Sequence, residues 1–375
     1  MLARSKKLLL SVMVSCIVVF HSFGQSTNDF KVLAYFAGNT AQLDSFDVQK
    51  ITHLIYCFGH LDGNRFKLGK PSDSLIIEKM VSLKSQQPQL KVLLSLGGWA
   101  GCETCSDVFA TKAGRQTFAQ SVKEMQTHFH TDGIDLDWEY PAIEGPPGHK
   151  FTPDDKHNFT LLVKQLRKVL GKESILSFAA GGFNEFLEQS VEWKKVMKKA
   201  DFVNLMTYDL VNGYAKSTGH HTPLYATAQQ SEATDNAVQY LLKLGIDSKK
   251  LVIGAAFYGR IFENVSAINN GLYQPAKFKT TQVYKNFPTT LSPANGFVYY
   301  WDHAAKAPYL YNEQEKLFVT FDDKRSMELK AKYVVDKNLG GIMFWQLAQD
   351  IPTDGLLDTI DKVKKSYTSV ANAVK

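Results

Sequence analysis

Residues 132–141 read Asp132-Gly133-Ile134-Asp135-Leu136-Asp137-Trp138-Glu139-Tyr140-Pro141. Side chains alternate sides along a β-strand, so Ile134, Leu136 and Trp138 share one face while Asp135, Asp137 and Glu139 share the other. The apolar set needs a packed layer behind it. The acidic set then lines an interior, with about 6.6–6.8 Å between successive same-side carboxyls. Like charges at that spacing in a desolvated interior cannot all ionise cheaply, so at least one pKa must rise. A carboxyl that keeps its proton near neutrality is a general acid. Glu139 is outermost, at the strand's C-terminal end, with Asp137 one pleat below and Asp135 deeper. Asp132 is out of phase and belongs to the strand's start.

Seven further short apolar runs accompany this one, at 31–36, 51–58, 91–96, 175–180, 202–207, 251–256 and 340–345. Several are nearly continuous, as expected of parallel strands covered on both faces. Between them lie segments with helical spacing, at 72–83, 107–129, 154–170, 186–200, 227–244 and 323–337. Strand and helix alternating eight times with no break in composition predict an α/β fold, a closed (β/α)8 TIM barrel. A doubly wound open sheet would carry a Gly-x-Gly-x-x-Gly turn after its first strand, and none is present. The gap between runs seven and eight is too long for one helix. Its Tyr-, Asn-, Gly- and Pro-rich stretch, 261–321, predicts a small α+β insertion after strand seven, on the face where barrel active sites sit.

The N-terminal residues 1–24 combine Arg4, Lys6 and Lys7 with a short apolar run and small or polar residues, the pattern of a secretory signal. Residues 25–375 are then the catalytic domain, secreted or periplasmic. Cys16 follows Met13-Val14-Ser15, a poor lipoprotein box, so no lipid anchor is expected. No later stretch reaches about 20 unbroken apolar residues, so no membrane span is expected either. The formal charge of +6 falls to about +3 without the leader's three cations, which gives no case for a nucleic-acid partner. Cys102 and Cys105 lack the second pair that a structural zinc needs, and a local disulfide is the expectation. Cys57 reads as a buried thiol. His128, His130, His220 and His221 lack ligand company and read as surface or loop histidines. No metal and no cofactor are expected. Trp99, Tyr140, Tyr299 and Trp301 fit either an extended cleft or burial against the insertion.

The Asp-x-x-Asp-x-Asp-x-Glu run resembles the signature of glycoside hydrolase family 18, the chitinase-type barrels. Ser95-Leu96-Gly97-Gly98-Trp99, Met206-Thr207-Tyr208-Asp209, Phe257-Tyr258-Gly259-Arg260 and Gly340-Gly341-Ile342-Met343-Phe344-Trp345 resemble motifs of the same family in the same order. An α+β insertion between strands seven and eight marks one of its subgroups. The resemblance implies hydrolysis of β-1,4 links between N-acetylglucosamine units of chitin or its oligomers, with retention and with the substrate's own acetamide as nucleophile. It further implies Glu139 as acid and base, Asp137 orienting the acetamide, Asp135 tuning Asp137, and Tyr208 bonding the acetamide carbonyl. Trp345 would floor the site with Tyr35 and Met206 nearby. Gly98, Trp99, Tyr140, Asp209 and Arg260 would line the substrate's path. Its competitors are an endo-β-N-acetylglucosaminidase of glycoprotein glycans and a non-catalytic lectin.

Overall fold

The computed structural model describes residues 30–373; the expected leader lies outside them. Eight parallel strands form the barrel in chain order: Lys31–Phe36, His53–Asp62, Lys91–Gly97, Gly133–Asp137, Ile175–Gly181, Phe202–Met206, Leu251–Ala256 and Gly341–Trp345. Lys31–Phe36 pairs with both His53–Asp62 and Gly341–Trp345, which closes the sheet. The second strand also runs on into a hairpin with Arg65–Lys67.

Alternation decides what goes where. Leu33, Ile55, Leu93, Val252 and Met343 fill the barrel's interior. Ile134, Leu136 and Trp138 join the outer core against the helices, where the Trp138 indole lies 5.5 Å from the Phe109 ring. Among the described residues, no helix is long and apolar enough to cross a membrane.

Three expected helices are interrupted or shortened. The segment 107–129 is two helices, Cys105–Ala110 and Lys112–Phe129, because Thr111 is extended and its hydroxyl accepts the Gly114 N–H at 2.9 Å as an N-cap. The segment 186–200 holds only Asn184–Gln189 and Trp193–Val196. Ser190 and Val191 turn inward and are buried, and the Trp193 indole N–H reaches back to the Leu187 carbonyl at 2.6 Å. At 227–233 the Thr227 hydroxyl accepts the Gln230 N–H in a turn, and the helix proper is Thr234–Lys243.

Between barrel strands seven and eight, five antiparallel strands pair in the order Lys277–Val283, Tyr258–Glu263, Leu317–Phe321, Ala307–Asn312, Val298–Asp302. Both faces of this sheet are covered. Ile261, Val319 and Phe321 pack on one side with Phe287, while Phe262, Phe318 and Tyr309 pack on the other with Val265. The sheet is fastened to the barrel mouth by a buried ion pair, Lys330 Nζ to Asp322 Oδ2 at 2.7 Å. Such a pair is tolerable only when its remaining valences are met. Asp322 also accepts from Ser326 Oγ and the Ala256 N–H, and Lys330 also donates to Thr222.

Candidate active site

Strand register builds the base of the site. Asp135 stands opposite Ser95 on one neighbouring strand and Ser177 on the other. It accepts from Ser177 Oγ at 2.5 Å, the Tyr35 hydroxyl at 2.8 Å, Asn204 Nδ2 at 3.1 Å and Ser95 Oγ at 3.4 Å. Burial pushes its carboxyl up to about 6, and these four donors keep it from rising further.

Asp137 and Glu139 follow on the same face, 4% and 9% exposed. Burial, then the Glu139 charge, then that of Asp135 push the Asp137 carboxyl well above the usual range. Its Oδ1 is buried with no hydrogen-bond partner in the protein. Burial likewise pushes Glu139 up to about 7, against a hydrogen bond from Tyr140 and with help from the Asp209 charge. Glu139 is therefore poised to give and take a proton near neutral pH. A kcat/KM profile should accordingly lose activity above about pH 7 as that proton is lost.

Aromatic side chains surround the column. Trp345 ends strand eight, with the Phe58 ring stacked on it at 5.5 Å and the Tyr35 ring 6.2 Å away. Gly98, at φ +77°, leaves room for Phe58, whose ring carbon would meet a Cβ there at 2.4 Å. Met206 joins the interior cluster that holds Tyr35. Tyr208 is half-buried, its hydroxyl 3.9 Å from Met343 Sδ and its ring 6.2 Å from Tyr258. Burial pushes the Tyr208 phenol far up, so it remains a donor. The ring of Trp99, half exposed, lies 6.3 Å from that of Tyr140 and 6.4 Å from that of Tyr214. The peptides Cys57–Phe58, Glu139–Tyr140 and Trp345–Gln346 are cis.

Asp209 and Arg260 form a two-pronged pair, Nε to Oδ1 and an η nitrogen to Oδ2, each at 2.5 Å. Burial alone would raise Asp209, but His221 and Arg260 overcome it and hold the carboxyl well below the usual range. His221 lies behind, its Nδ1 3.4 Å from Asp209 Oδ1. Removing the Asp209 charge takes away one of the influences that raise Glu139. Asp209→Asn should therefore shift the alkaline limb of kcat/KM acidward, by roughly half to one pH unit. An unmoved limb would contradict that coupling.

Hydrogen bonds, ring contacts and the Asp209 charge link Tyr35 to Asp135 and Trp345, Trp99 to Tyr140, and Asp209 to Arg260 and Glu139. Tyr299 and Trp301 are otherwise engaged: Tyr299 donates to Asp323 at 2.9 Å, and Trp301 lies under the Arg325 guanidinium at 3.9 Å. His220 and His221 are fully buried, contrary to the sequence reading. His220 Nε2 contacts Asp302 at 3.0 Å, and the His221 N–H bonds Thr320 Oγ1. Cys57 is a half-buried free thiol. Cys102 and Cys105 are joined in a disulfide. Sequence reasoning passed over Phe58, Ser177 and Asn204, and it quoted Ser95 and Tyr258 within motifs without giving them a role. Asn204 and Ser177 had a signal, since each is a polar residue at an inward position of an otherwise apolar strand.

A proton held near neutrality beside an aromatic-walled mouth is what breaking a glycosidic bond asks of a protein, and the class that fold and site define is the glycoside hydrolases. Within that class the chain belongs to glycosyl hydrolases family 18, whose sequence profile matches residues 31–350. It is 34% identical over 328 residues to chitotriosidase-1 of Mus musculus, covering 81% of this chain and 68% of that one. It is 28% identical to chitinase A1 of Niallia circulans, covering 98% of this chain but spanning only 65% of that relative's length. Among solved structures, the family 18 N-acetylglucosaminidase from Paenibacillus barengoltzii superposes with a TM-score of 0.81 at 34% identity, covering 89% of this chain and 99% of the other. Chitinase ChiA74 from Bacillus thuringiensis gives 0.84 at 28% identity, covering 90% and 70%.

Proposed function

We propose that the protein hydrolyses β-1,4 links between N-acetylglucosamine units, in chitin or its oligomers, with retention and with the substrate's acetamide as nucleophile. One observation carries the reading: the buried, partnerless Asp137 Oδ1 on the same strand face as Glu139, whose carboxyl burial pushes up to about 7. Asp209, whose charge also raises Glu139, is held by Arg260 and is not free to attack. Family 18 enzymes are the established exception to the scheme of two catalytic carboxylates.

In the first step Glu139 donates its proton to the glycosidic oxygen. The acetamido oxygen attacks the anomeric carbon as the C–O bond breaks, leaving a cyclic cation. Asp137 passes its proton towards Asp135 and, so ionised, accepts the acetamide N–H on its open oxygen and balances the developing charge. Asp135, fixed by its four donors, shares the proton load of Asp137. Tyr208 donates to the acetamide and holds the attacking geometry. In the second step the Glu139 carboxylate takes a proton from water, whose oxygen bonds to the anomeric carbon on the face the leaving group left as the bond from that carbon to the acetamido oxygen breaks and the acetamide is restored. Tyr208→Phe should lower kcat by about tenfold or more while changing KM little, because its bond tightens as the acetamide attacks. An effect confined to KM would contradict this role.

The leader pattern at 1–24 and the Cys102–Cys105 disulfide support action outside the cytoplasm. A second reading, release of single N-acetylglucosamine units, is favoured by the match along 99% of the P. barengoltzii N-acetylglucosaminidase. A product time course on N-acetylglucosamine oligomers, run beside a high-mannose glycopeptide, tests these readings. Dimers or longer products support the first reading, monomers from the start indicate the second, and cleavage of the glycopeptide alone would overturn both. Binding without cleavage would show a lectin.

A further inference from the structure

We infer that the Cys102–Cys105 disulfide is a positioning device for Trp99: it fastens the loop after strand three so that the indole stands out in the mouth as a stacking surface for sugar. The inference rests on the proposed glycan-hydrolase reading. Trp99 is 50% exposed, an unusual place for an indole, and its ring lies 6.3 Å from Tyr140 and 6.4 Å from Tyr214. Aromatic faces of this kind are what the apolar faces of sugar rings pack against.

The backbone that presents it turns through left-handed conformations, which two glycines permit and one alanine does not favour. Gly97, Gly98 and Ala100 all have positive φ, at +106°, +77° and +66°. Alanine adopts that region only under constraint. The Gly101 N–H closes the turn onto the Gly98 carbonyl at 2.8 Å, and a Cβ on Gly101 would lie 1.9 Å from the Gly97 carbonyl oxygen. Two ties flank this turn. The first end is tied where the Gly98 N–H meets the Asp137 carbonyl at 2.9 Å. The disulfide ties the second. Cys105 opens the helix Cys105–Ala110, and Cys102 Sγ sits 3.2 Å from where a Gly97 Cβ would be, beneath the start of the loop. Both cysteines are buried, and their Cα atoms are 5.1 Å apart.

Ring size separates a local role from a global one. A disulfide stabilises a fold chiefly by restricting the unfolded chain, and the effect grows with the loop it closes. Cysteines three apart in sequence close almost the smallest such loop, so this bond contributes little to overall stability. What it fixes is the path between Gly97 and Cys105.

The test compares full-length wild type, Cys102→Ala/Cys105→Ala, Trp99→Ala and the triple variant. For each, kcat and KM are measured on the N-acetylglucosamine tetramer. The cysteine double variant should raise KM about three- to tenfold with kcat within about twofold, and the triple variant should be no worse than Trp99→Ala alone. Unchanged KM, additive effects or a matching loss of kcat would overturn the inference. Acrylamide quenching of the Trp99 fluorescence, taken as the difference from a Trp99→Phe background, adds a readout independent of catalysis. It should change by at least about twofold when the disulfide is removed, and no change would count against the clamp. If the alanine pair fails to fold, Cys102→Ser/Cys105→Ser serves in its place. Should wild type cleave no such oligomer, the functional reading fails, and quenching still decides the disulfide's role.

Discussion

Glu139→Gln should leave less than about one part in a thousand of the wild-type kcat, with a melting temperature within about 2 °C of wild type. The amide matches the carboxyl in shape, so the packing around a side chain only 9% exposed is retained. It has no proton to give to the leaving oxygen and cannot take one from water in the second step, so both halves of the reaction stop. Loss of a buried ionisable group does not threaten the fold. Burial already holds this carboxyl up to about 7, and a neutral amide is at least as well accommodated. Steady-state turnover and thermal melts provide the check, and oligomer affinity by calorimetry should stay within a few-fold of wild type. Near-normal turnover would remove Glu139 from the mechanism.

Asp137→Asn should lower kcat by about 10²- to 10³-fold with KM little changed. Its Oδ1 has no partner in the protein, and the proposed transition state brings both an N–H to accept and a positive charge to balance. Asparagine supplies neither a negative charge nor the certainty that an oxygen faces the substrate. Stability should move the other way. A carboxyl whose folded pKa lies above its unfolded value binds more protons when folded, so its ionisation at neutral pH costs stability. Replacing it by a neutral amide removes that cost, and the melting temperature at pH 7 should hold or rise. A loss confined to KM, or unfolding of the variant, would contradict the role assigned.

The barrel was legible because each strand carries its own signal. Gly133–Asp137 alternates so strictly that the residues that define the strand also define the acidic column. The polar layer beneath it was harder to see, since Ser95 and Ser177 matter only through a register that sets them on either side of Asp135. His220 and His221 were misread because their cover comes from Asp302 and Thr320, supplied by the insertion far along the chain. Phe58 escaped for the same reason, as its partner Trp345 lies at the opposite end of the sequence. The helical pattern at 186–200 was genuine in its apolar residues. A single long-reaching bond from the Trp193 indole to the Leu187 carbonyl folds it into two short pieces instead.

The claim on which the mechanism turns is that the sugar's own acetamide attacks the anomeric carbon. Partially deacetylated chitin, digested to completion and sequenced from its new reducing ends by mass spectrometry, tests it directly. The expected result is that every new reducing end carries an acetyl group. Free glucosamine at those ends, in proportion to its abundance in the polymer, would show that a protein group supplies the nucleophile.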